Sequence, residues 1–235
     1  MKQYFVKTPK IIKNLFPDFI WQVATNKKEI YLTFDDGPIP KITPWVLDTL
    51  EKYKAKATFF CVGENITKHP EIFKQIIDRK HAIGNHTFNH LQGWKTDNSE
   101  YLNNINKTED VIRNLAFKNK RKERREERKP YNHIPTTNSQ QLTINLFRPP
   151  YGKIKISQSK ELRKKGYQII MWDVLSGDFD KKTSKEKCLE NIIKSSKEGS
   201  IIVFHDSKKA FKNLEYALPK VLKYFSEKGF IFKAL

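Results

Sequence analysis

The chain has 235 residues, 38% of them hydrophobic and 30% charged, and carries a formal net charge of +19. That length supports one domain of the α/β barrel or doubly wound size with an ample core. The basic balance favours anionic partners without specifying a fold, and two cysteines, Cys61 and Cys188, are too few for a disulfide framework, so both are expected reduced and buried.

The basic start, Met1 to Lys10, lacks the apolar core of a secretory signal, and no window is apolar enough to span a membrane. The expectation is a cytoplasmic protein. Residues 1–27 read as a lead-in segment, with Ile11, Ile12, Leu15 and Phe16 forming one amphipathic turn that docks on the main domain.

Ile30 to Phe34 is an apolar, β-branched and aromatic run, the pattern of a buried strand. It ends on Asp35-Asp36-Gly37-Pro38. Adjacent acids on an extended chain point opposite ways, so one can bind a cation while the other stays free to take a proton. Asp, Gly and Pro also form plain turns, which is the competing reading of this stretch alone.

Helical spacing follows over 43–54, with Thr43-Pro44 as its start, and again over 70–79; 57–63 and 81–86 read as strands. His86-Thr-Phe-Asn-His90 sets two imidazoles four residues apart, which on a helical turn puts them on one face and suits a shared metal. His69 and His81 belong to no motif and read as surface or helix-end residues. His133 is likewise left without a role.

A helix over 99–117 leads into a break in the rhythm. Lys118 to Lys129 holds eight Lys or Arg against three Glu, and a polar stretch with two prolines follows. The segment 118–145 reads as an inserted loop, helical at its start and mobile beyond. The alternation then resumes: strand 146–150, helix 157–165, strand 168–174, helix 183–196, strand 200–205, helix 213–228 and strand 230–235. Seven strands alternating with helices predict a parallel α/β sheet. The chain has no Gly-rich nucleotide loop, which leaves closure into a barrel with its site at the carboxyl ends of the strands.

Five motifs, Thr33-Phe-Asp-Asp-Gly-Pro38, His86-Thr-Phe-Asn-His90, Arg148-Pro-Pro-Tyr-Gly152, Trp172-Asp-Val-Leu-Ser-Gly-Asp178 and Ile202-Val-Phe-His-Asp206, occur in the order of the polysaccharide deacetylase family (the NodB-homology domain, carbohydrate esterase family four). The resemblance covers about residues 28–235 apart from the insertion. It implies a single-domain, distorted (β/α)7 barrel that removes acetyl groups from saccharides such as chitin oligomers or peptidoglycan. It also implies one divalent metal, zinc first, with cobalt, nickel or manganese as alternatives.

By the same resemblance Asp36, His86 and His90 match the metal ligands, and Asp35 the general base. Arg148 matches the residue that orients this base, and Tyr151 the residue whose backbone N–H steadies the oxyanion. His205 matches the general acid, and Asp178 the acid that tunes it, with Asp173 as a rival. Phe179, Val203 and Trp172 match substrate-pocket positions. Phe179 stands where the family usually has tryptophan, and Val203 where it usually has leucine, so apolar character is kept while pocket size is altered.

The chemistry asks for such parts independently: a metal to polarise a poor electrophile, a carboxylate as base, and a group near pKa 7 to protonate a leaving amine. Two other readings compete. One is a hydrolase of another C–N bond, such as a cyclic amide or ureide; the other is a polyanion-binding protein. Against the second, the basic run is confined to the insertion and lacks interleaved aromatics.

Overall fold

The structure is a computed structural model that describes residues 4–126 and 145–235. Its centre is strand β1 (Glu29–Asp35), every residue of which is buried. A strand covered on both faces is expected to be largely apolar, and this one is from Ile30 to Phe34 apart from Thr33, whose hydroxyl is hydrogen-bonded to the Ile202 carbonyl. It pairs in parallel with β2 (Ala57–Cys61) on one side and β7 (Ile201–His205) on the other.

The sheet continues through β3 (Ala82–Asn85), β4 (Leu146–Phe147) and β5 (Gln168–Ile169) at one end and β6 (Val174–Leu175) at the other. A short β8 (Ile231–Phe232) pairs with the start of β1. All these pairings are parallel. Among the described residues eight α-helices accompany the strands, including α2 (Ile42–Lys52), α3 (Gly63–Lys68), α4 (Pro70–Asp78), α5 (Asn98–Glu126), α7 (Lys185–Ser195) and α8 (Phe211–Glu227). The core between sheet and helices is apolar, with Phe34 stacked on Phe59 and Phe204 at its middle.

This curled parallel sheet is the expected distorted barrel in a single domain, with one difference in count. The predicted strand 168–174 is two strands, β5 and β6, which do not pair with each other. Between them the chain leaves the sheet, and the N-terminal segment fills the seam. Met171 N–H bonds the Ile20 carbonyl, Ile20 N–H bonds Ile169, and Leu175 N–H bonds Val6. Trp21 is buried against Phe147 and Ile169. The docking turn is α1 (Lys10–Leu15), but only Ile12 faces inward; Ile11 and Leu15 are 68% and 67% exposed. The segment is held by its backbone, by Lys7 and Lys13 on Asp173, and by Trp21 with its apolar neighbours, and not by the apolar face expected of the turn itself. A cavity of about 610 Å³ lies there, lined by Lys7, Lys13, Trp21 and Asp173 among others.

The helix predicted over 99–117 runs on as α5 to Glu126, so the insertion is helical at its start, as expected. The expected mobile stretch beyond it, with His133, lies outside the described residues. Cys61 and Cys188 are free and buried. No helix among the described residues is long and apolar enough to cross a membrane.

Candidate active site

β1 delivers two carboxylates to the carboxyl end of the sheet by different means. Asp35 is its last residue and is 3% exposed. Asp36 has φ of 85°, a left-handed backbone that is uncommon for a non-glycine residue. The two side chains therefore diverge as expected, but through this backbone turn rather than by strand alternation. Asn65 Nδ2 donates to the Asp36 carbonyl at 2.7 Å, and Asp206 Oδ1 accepts the next N–H, that of Gly37, at 3.0 Å.

His86 follows β3 and His90 closes the loop after it. This loop is not the helical turn that the i, i+4 spacing predicts. Thr87 and His90 both have positive φ, 64° and 61°. The loop is held from outside: the first two N–H groups of α3, on Gly63 and Glu64, donate to the carbonyls of Thr87 and Phe88 at 3.0 and 2.7 Å. Even so, the two rings converge, with centroids 5.0 Å apart.

Asp36, His86 and His90 each offer a ligand atom, all within 4.8 Å of one another. His90 Nε2 is 3.4 Å from Asp36 Oδ1 and His86 Nε2 is 4.0 Å from it. Ligand atoms around a tetrahedral zinc with bonds of about 2.1 Å stand roughly 3.4 Å apart, so the trio fits a divalent ion after small adjustment. His86 Nδ1 donates to the Arg148 carbonyl at 2.7 Å, which leaves Nε2 bare toward Asp36. Burial, reinforced by the neighbouring His90, pushes the His86 pKa down to about 3, and burial lowers His90 as well. Both imidazoles are therefore neutral, the form that ligates metal.

Asp35 faces Arg148, which is fully buried. Nη1 donates to Asp35 Oδ1 at 2.7 Å and to the Thr33 hydroxyl at 2.6 Å, Nη2 to the Met171 carbonyl and Nε to the Ile170 carbonyl. The guanidinium plane lies 4.1 Å from the Phe60 ring centroid. This one side chain ties β1 to the segment between β5 and β6.

His205, the last residue of β7, pairs Nδ1 with Asp178 Oδ1 at 2.8 Å, and its own backbone N–H donates to Oδ2 at 2.7 Å. Burial opposes charge on this ring, but Asp178, assisted by Asp36 and Asp35, holds its pKa up at about 9. Asp178 and not Asp173 therefore partners His205. Asp173 sits before β6, bonded to Lys7, Lys13 and Ser200.

Tyr151 has φ of 60° and is 62% exposed; its hydroxyl lies 3.2 Å from His90 Nδ1, and its N–H takes no partner among the described residues. Phe179 meets the His205 ring edge-on at 5.0 Å and packs on Tyr4 of the N-terminal segment. Val203 is buried in β7, and the half-buried Trp172 lies near Gly152 and 6.0 Å from the Arg148 guanidinium.

Three residues of this site escaped the sequence reading as actors: Asp206, Thr33 and Asn65. Asp206 had a signal, a second acid at a strand end beside a histidine. His81 is a correction of the opposite kind. It is 6% exposed, its Nδ1 accepts the Ala57 N–H at 3.2 Å, and it meets Phe59 edge-on, so it is a core residue and not a surface one. His69 does sit at a helix end, as the N-cap of α4.

Fold and site together define a class: a curled α/β barrel whose strand ends carry a His/His/Asp cluster, a carboxylate paired with arginine and a histidine paired with aspartate. The family model described as polysaccharide deacetylase matches residues 22–125. A peptidoglycan-N-acetylglucosamine deacetylase of Bacillus cereus is 33% identical over 213 residues, 90% of this chain and 88% of its own length. A chitooligosaccharide deacetylase of Azorhizobium caulinodans is 30% identical over 188 residues, 79% of this chain and 77% of its own. Among solved structures, the Bc1960 peptidoglycan N-acetylglucosamine deacetylase, in complex with 4-naphthalen-1-yl-N-oxidanyl-benzamide, superposes with a TM-score of 0.78 at 32% identity, covering 97% of this chain and 95% of the other. The chain belongs to the polysaccharide deacetylase family.

Proposed function

We propose that this protein removes acetyl groups from N-acetylated saccharides, with one divalent ion, zinc first, held by Asp36, His86 and His90. The observation that carries the reading is the convergence of that trio with two preformed ion pairs, Asp35–Arg148 and His205–Asp178. Two histidines and a carboxylate leave coordination positions open for water and substrate. When bound there, a divalent ion supplies Lewis acidity for the acetyl carbonyl and lowers the pKa of water.

The remaining roles fall to the chain. Asp35 takes a proton from the attacking water. Arg148 holds its Oδ1, and among the described residues Oδ2 takes no hydrogen bond. The Tyr151 N–H, which takes no partner among the described residues, donates to the oxygen on which charge develops. His205, charged at neutral pH and oriented through Nδ1 by Asp178, donates from Nε2 to the departing amine. Phe179 and Val203 line the pocket for the acetyl methyl, and Trp172 belongs to the wider substrate pocket. The catalytic domain spans 28–235, interrupted at about 118–145, with residues 1–27 as its lead-in.

The names of the relatives favour N-acetylated glycans over cyclic amides or ureides as substrate. The test combines metal content by elemental mass spectrometry with acetate release from N-acetylglucosamine oligomers and from peptidoglycan. One ion per chain and acetate release are expected, and His86→Ala should lose both. Stoichiometric zinc in a folded His86→Ala/His90→Ala protein would refute the ligand set. A zinc-loaded wild type that opens ureides and releases no acetate would refute the substrate class.

A further inference from the structure

The N-terminal segment carries two surfaces that stand side by side. Four of the eight large apolar side chains exposed among the described residues fall within residues 5–16: Phe5, Ile11, Leu15 and Phe16. Exposed apolar side chains gathered together and rimmed by polar ones mark a surface that meets another body.

The second surface is the cavity between this segment and the sheet. Four lysines line it, Lys7, Lys10, Lys13 and Lys197, and among the described residues its one acid is Asp173. That acid is already occupied. Its Oδ2 accepts from Lys7 and from the Ser200 hydroxyl, and its Oδ1 accepts from Lys13. Lys7 also donates to the Ser195 carbonyl and Lys13 to Gln22, so each ammonium keeps one of its three N–H donors. Lys10 and Lys197 are exposed, and their ammonium groups take no partner among the described residues. The cavity is left with a net charge of +3 and with apolar lining from Phe19, Ile20 and Trp21. A recess of one charge sign with low-dielectric walls concentrates its field on an anion.

α1 joins the two surfaces, because residues three and four apart share a helix face. Lys10, Lys13 and Asn14 line the cavity, Ile12 packs inward, and Ile11 and Leu15 stand together on the face left to solvent. An apolar strip beside a cationic recess matches an anionic phospholipid bilayer, which offers hydrocarbon to the strip and phosphate to the lysines. A second copy of the chain fits worse, since a self-contact would bring two equally cationic recesses together.

We infer that this face of the N-terminal segment is a peripheral membrane-docking surface: Ile11 and Leu15 enter the interface of an anionic bilayer, and the lysine cavity receives its phosphate headgroups. Ser200, bonded to Asp173 at the cavity, precedes β7, and His205 ends that strand, roughly 16 Å away at the usual rise per residue. The docking face and the strand-end cluster therefore lie at opposite ends of β7. The inference does not depend on the deacetylase reading, and its test involves no turnover.

The experiment is co-sedimentation with vesicles of one part phosphatidylglycerol to two parts phosphatidylcholine, against phosphatidylcholine alone, at near-physiological ionic strength. Wild type should bind the mixed vesicles and not the neutral ones, and should release them as salt rises. Ile11→Ser/Leu15→Ser should weaken binding about tenfold or more through lost apolar burial, and Lys10→Gln/Lys197→Gln by about the same factor. All four side chains are exposed, so melting temperatures should stay at the wild-type value. Lys52→Gln/Lys160→Gln removes the same charge from exposed positions outside the cavity, and Ile231→Ser removes an exposed apolar residue from β8; both should bind as wild type does. The inference is overturned if folded wild type ignores the mixed vesicles, if the Lys52/Lys160 pair weakens binding as much as the Lys10/Lys197 pair, or if Ile11→Ser/Leu15→Ser binds undiminished. Tripolyphosphate that binds in isothermal titration while vesicles do not would make the cavity a site for a soluble phosphate and overturn the membrane surface. So would a wild-type dimer, seen by light scattering, that Ile11→Ser/Leu15→Ser dissociates.

Discussion

The Asp206 carboxylate holds the turn that carries Asp36. Its Oδ1 accepts the Gly37 N–H at 3.0 Å, its Oδ2 accepts the Thr43 hydroxyl at 2.5 Å, and its own N–H returns to the Asp35 carbonyl at 3.1 Å. Gly37 leaves room for this: a Cβ there would run into the Asp206 carboxylate. A buried acid on β7's exit thus fixes the left-handed backbone of a metal-ligand candidate on β1. Asp206→Ala should weaken zinc binding 10- to 100-fold, about the usual effect of removing an outer-shell partner. Asp206→Asn, which keeps an acceptor for Gly37, should recover most of it. Chelator competition measures both, and wild-type affinity in Asp206→Ala would dismiss the role.

Arg148 satisfies Asp35 and three other acceptors from a fully buried position, and burial lowers its pKa against the support of Asp35. Removing one partner of such a pair leaves an uncompensated charge at a cost of about 3–5 kcal/mol. Arg148→Met should therefore lose roughly that much in urea denaturation, and Arg148→Lys should not restore it, because an ammonium cannot reach Thr33, Ile170 and Met171 together. Asp35→Asn leaves the buried Arg148 charge uncompensated and should cost folding a similar amount, yet it should bind zinc through the intact trio and lose at least ~100-fold in rate. Loss of zinc from Asp35→Asn would make Asp35 a ligand instead of a base.

His81 makes acid stability a separate test. Burial, with Lys56 and Arg79 adding to it, pushes its pKa down to about 4 from the ordinary 6.5. The folded state therefore refuses a proton that the unfolded state accepts. The resulting stability is fully present above pH 6.5 and is lost as pH falls through the window down to about 4. His81→Phe removes the titration, though it also removes the acceptor for Ala57 N–H. Relative to its own value at pH 7.5, the variant should lose less stability by pH 4.5 than wild type, by about 2 kcal/mol. Parallel losses would show that His81 stays solvated.

Much of this site could be read from the sequence because its residues stand at the ends of apolar runs. Asp35 and His205 end strands and Arg148 follows one, each strand with a visible pattern, and strand ends are where an α/β fold exposes polar groups. What stayed hidden depended on contacts distant in sequence. The run 168–174 looks like one strand, yet residues 170–173 turn away to meet the N-terminal segment, and only that pairing splits it. The His86–His90 spacing suggests a helix because nothing local announces positive φ at Thr87 and His90; α3 imposes it from outside, and α3 itself has six residues, too few to show a period. His81 and Asp206 are single polar residues whose burial is set by neighbours from other strands and helices. The choice between Asp173 and Asp178 could not be made from spacing, since both follow the same apolar run.

That choice has a kinetic signature. In the proposed mechanism His205 is the acid for a leaving amine, so deacetylation requires its charged form, which is populated below a pKa of about 9. Activity should accordingly fall on the alkaline side near that value, the high limb of a bell-shaped profile. Asp178→Asn removes the anion that sustains the charge against burial, and the limb should move down toward 6.5 or below. Asp173→Asn should leave the limb in place, since that carboxylate is occupied by Lys7 and Lys13; it should instead loosen the N-terminal segment, seen as faster amide exchange at Thr8 and at Leu175, whose N–H groups pair the segment with residues 173–175. His205→Ala should abolish the limb and be less damaging with an activated acetate ester, whose leaving group needs no proton. A limb that moves in Asp173→Asn and stays in Asp178→Asn would contradict the pairing, and a His205→Ala enzyme with an unaltered profile on N-acetylated sugars would remove His205 from the proton transfer altogether.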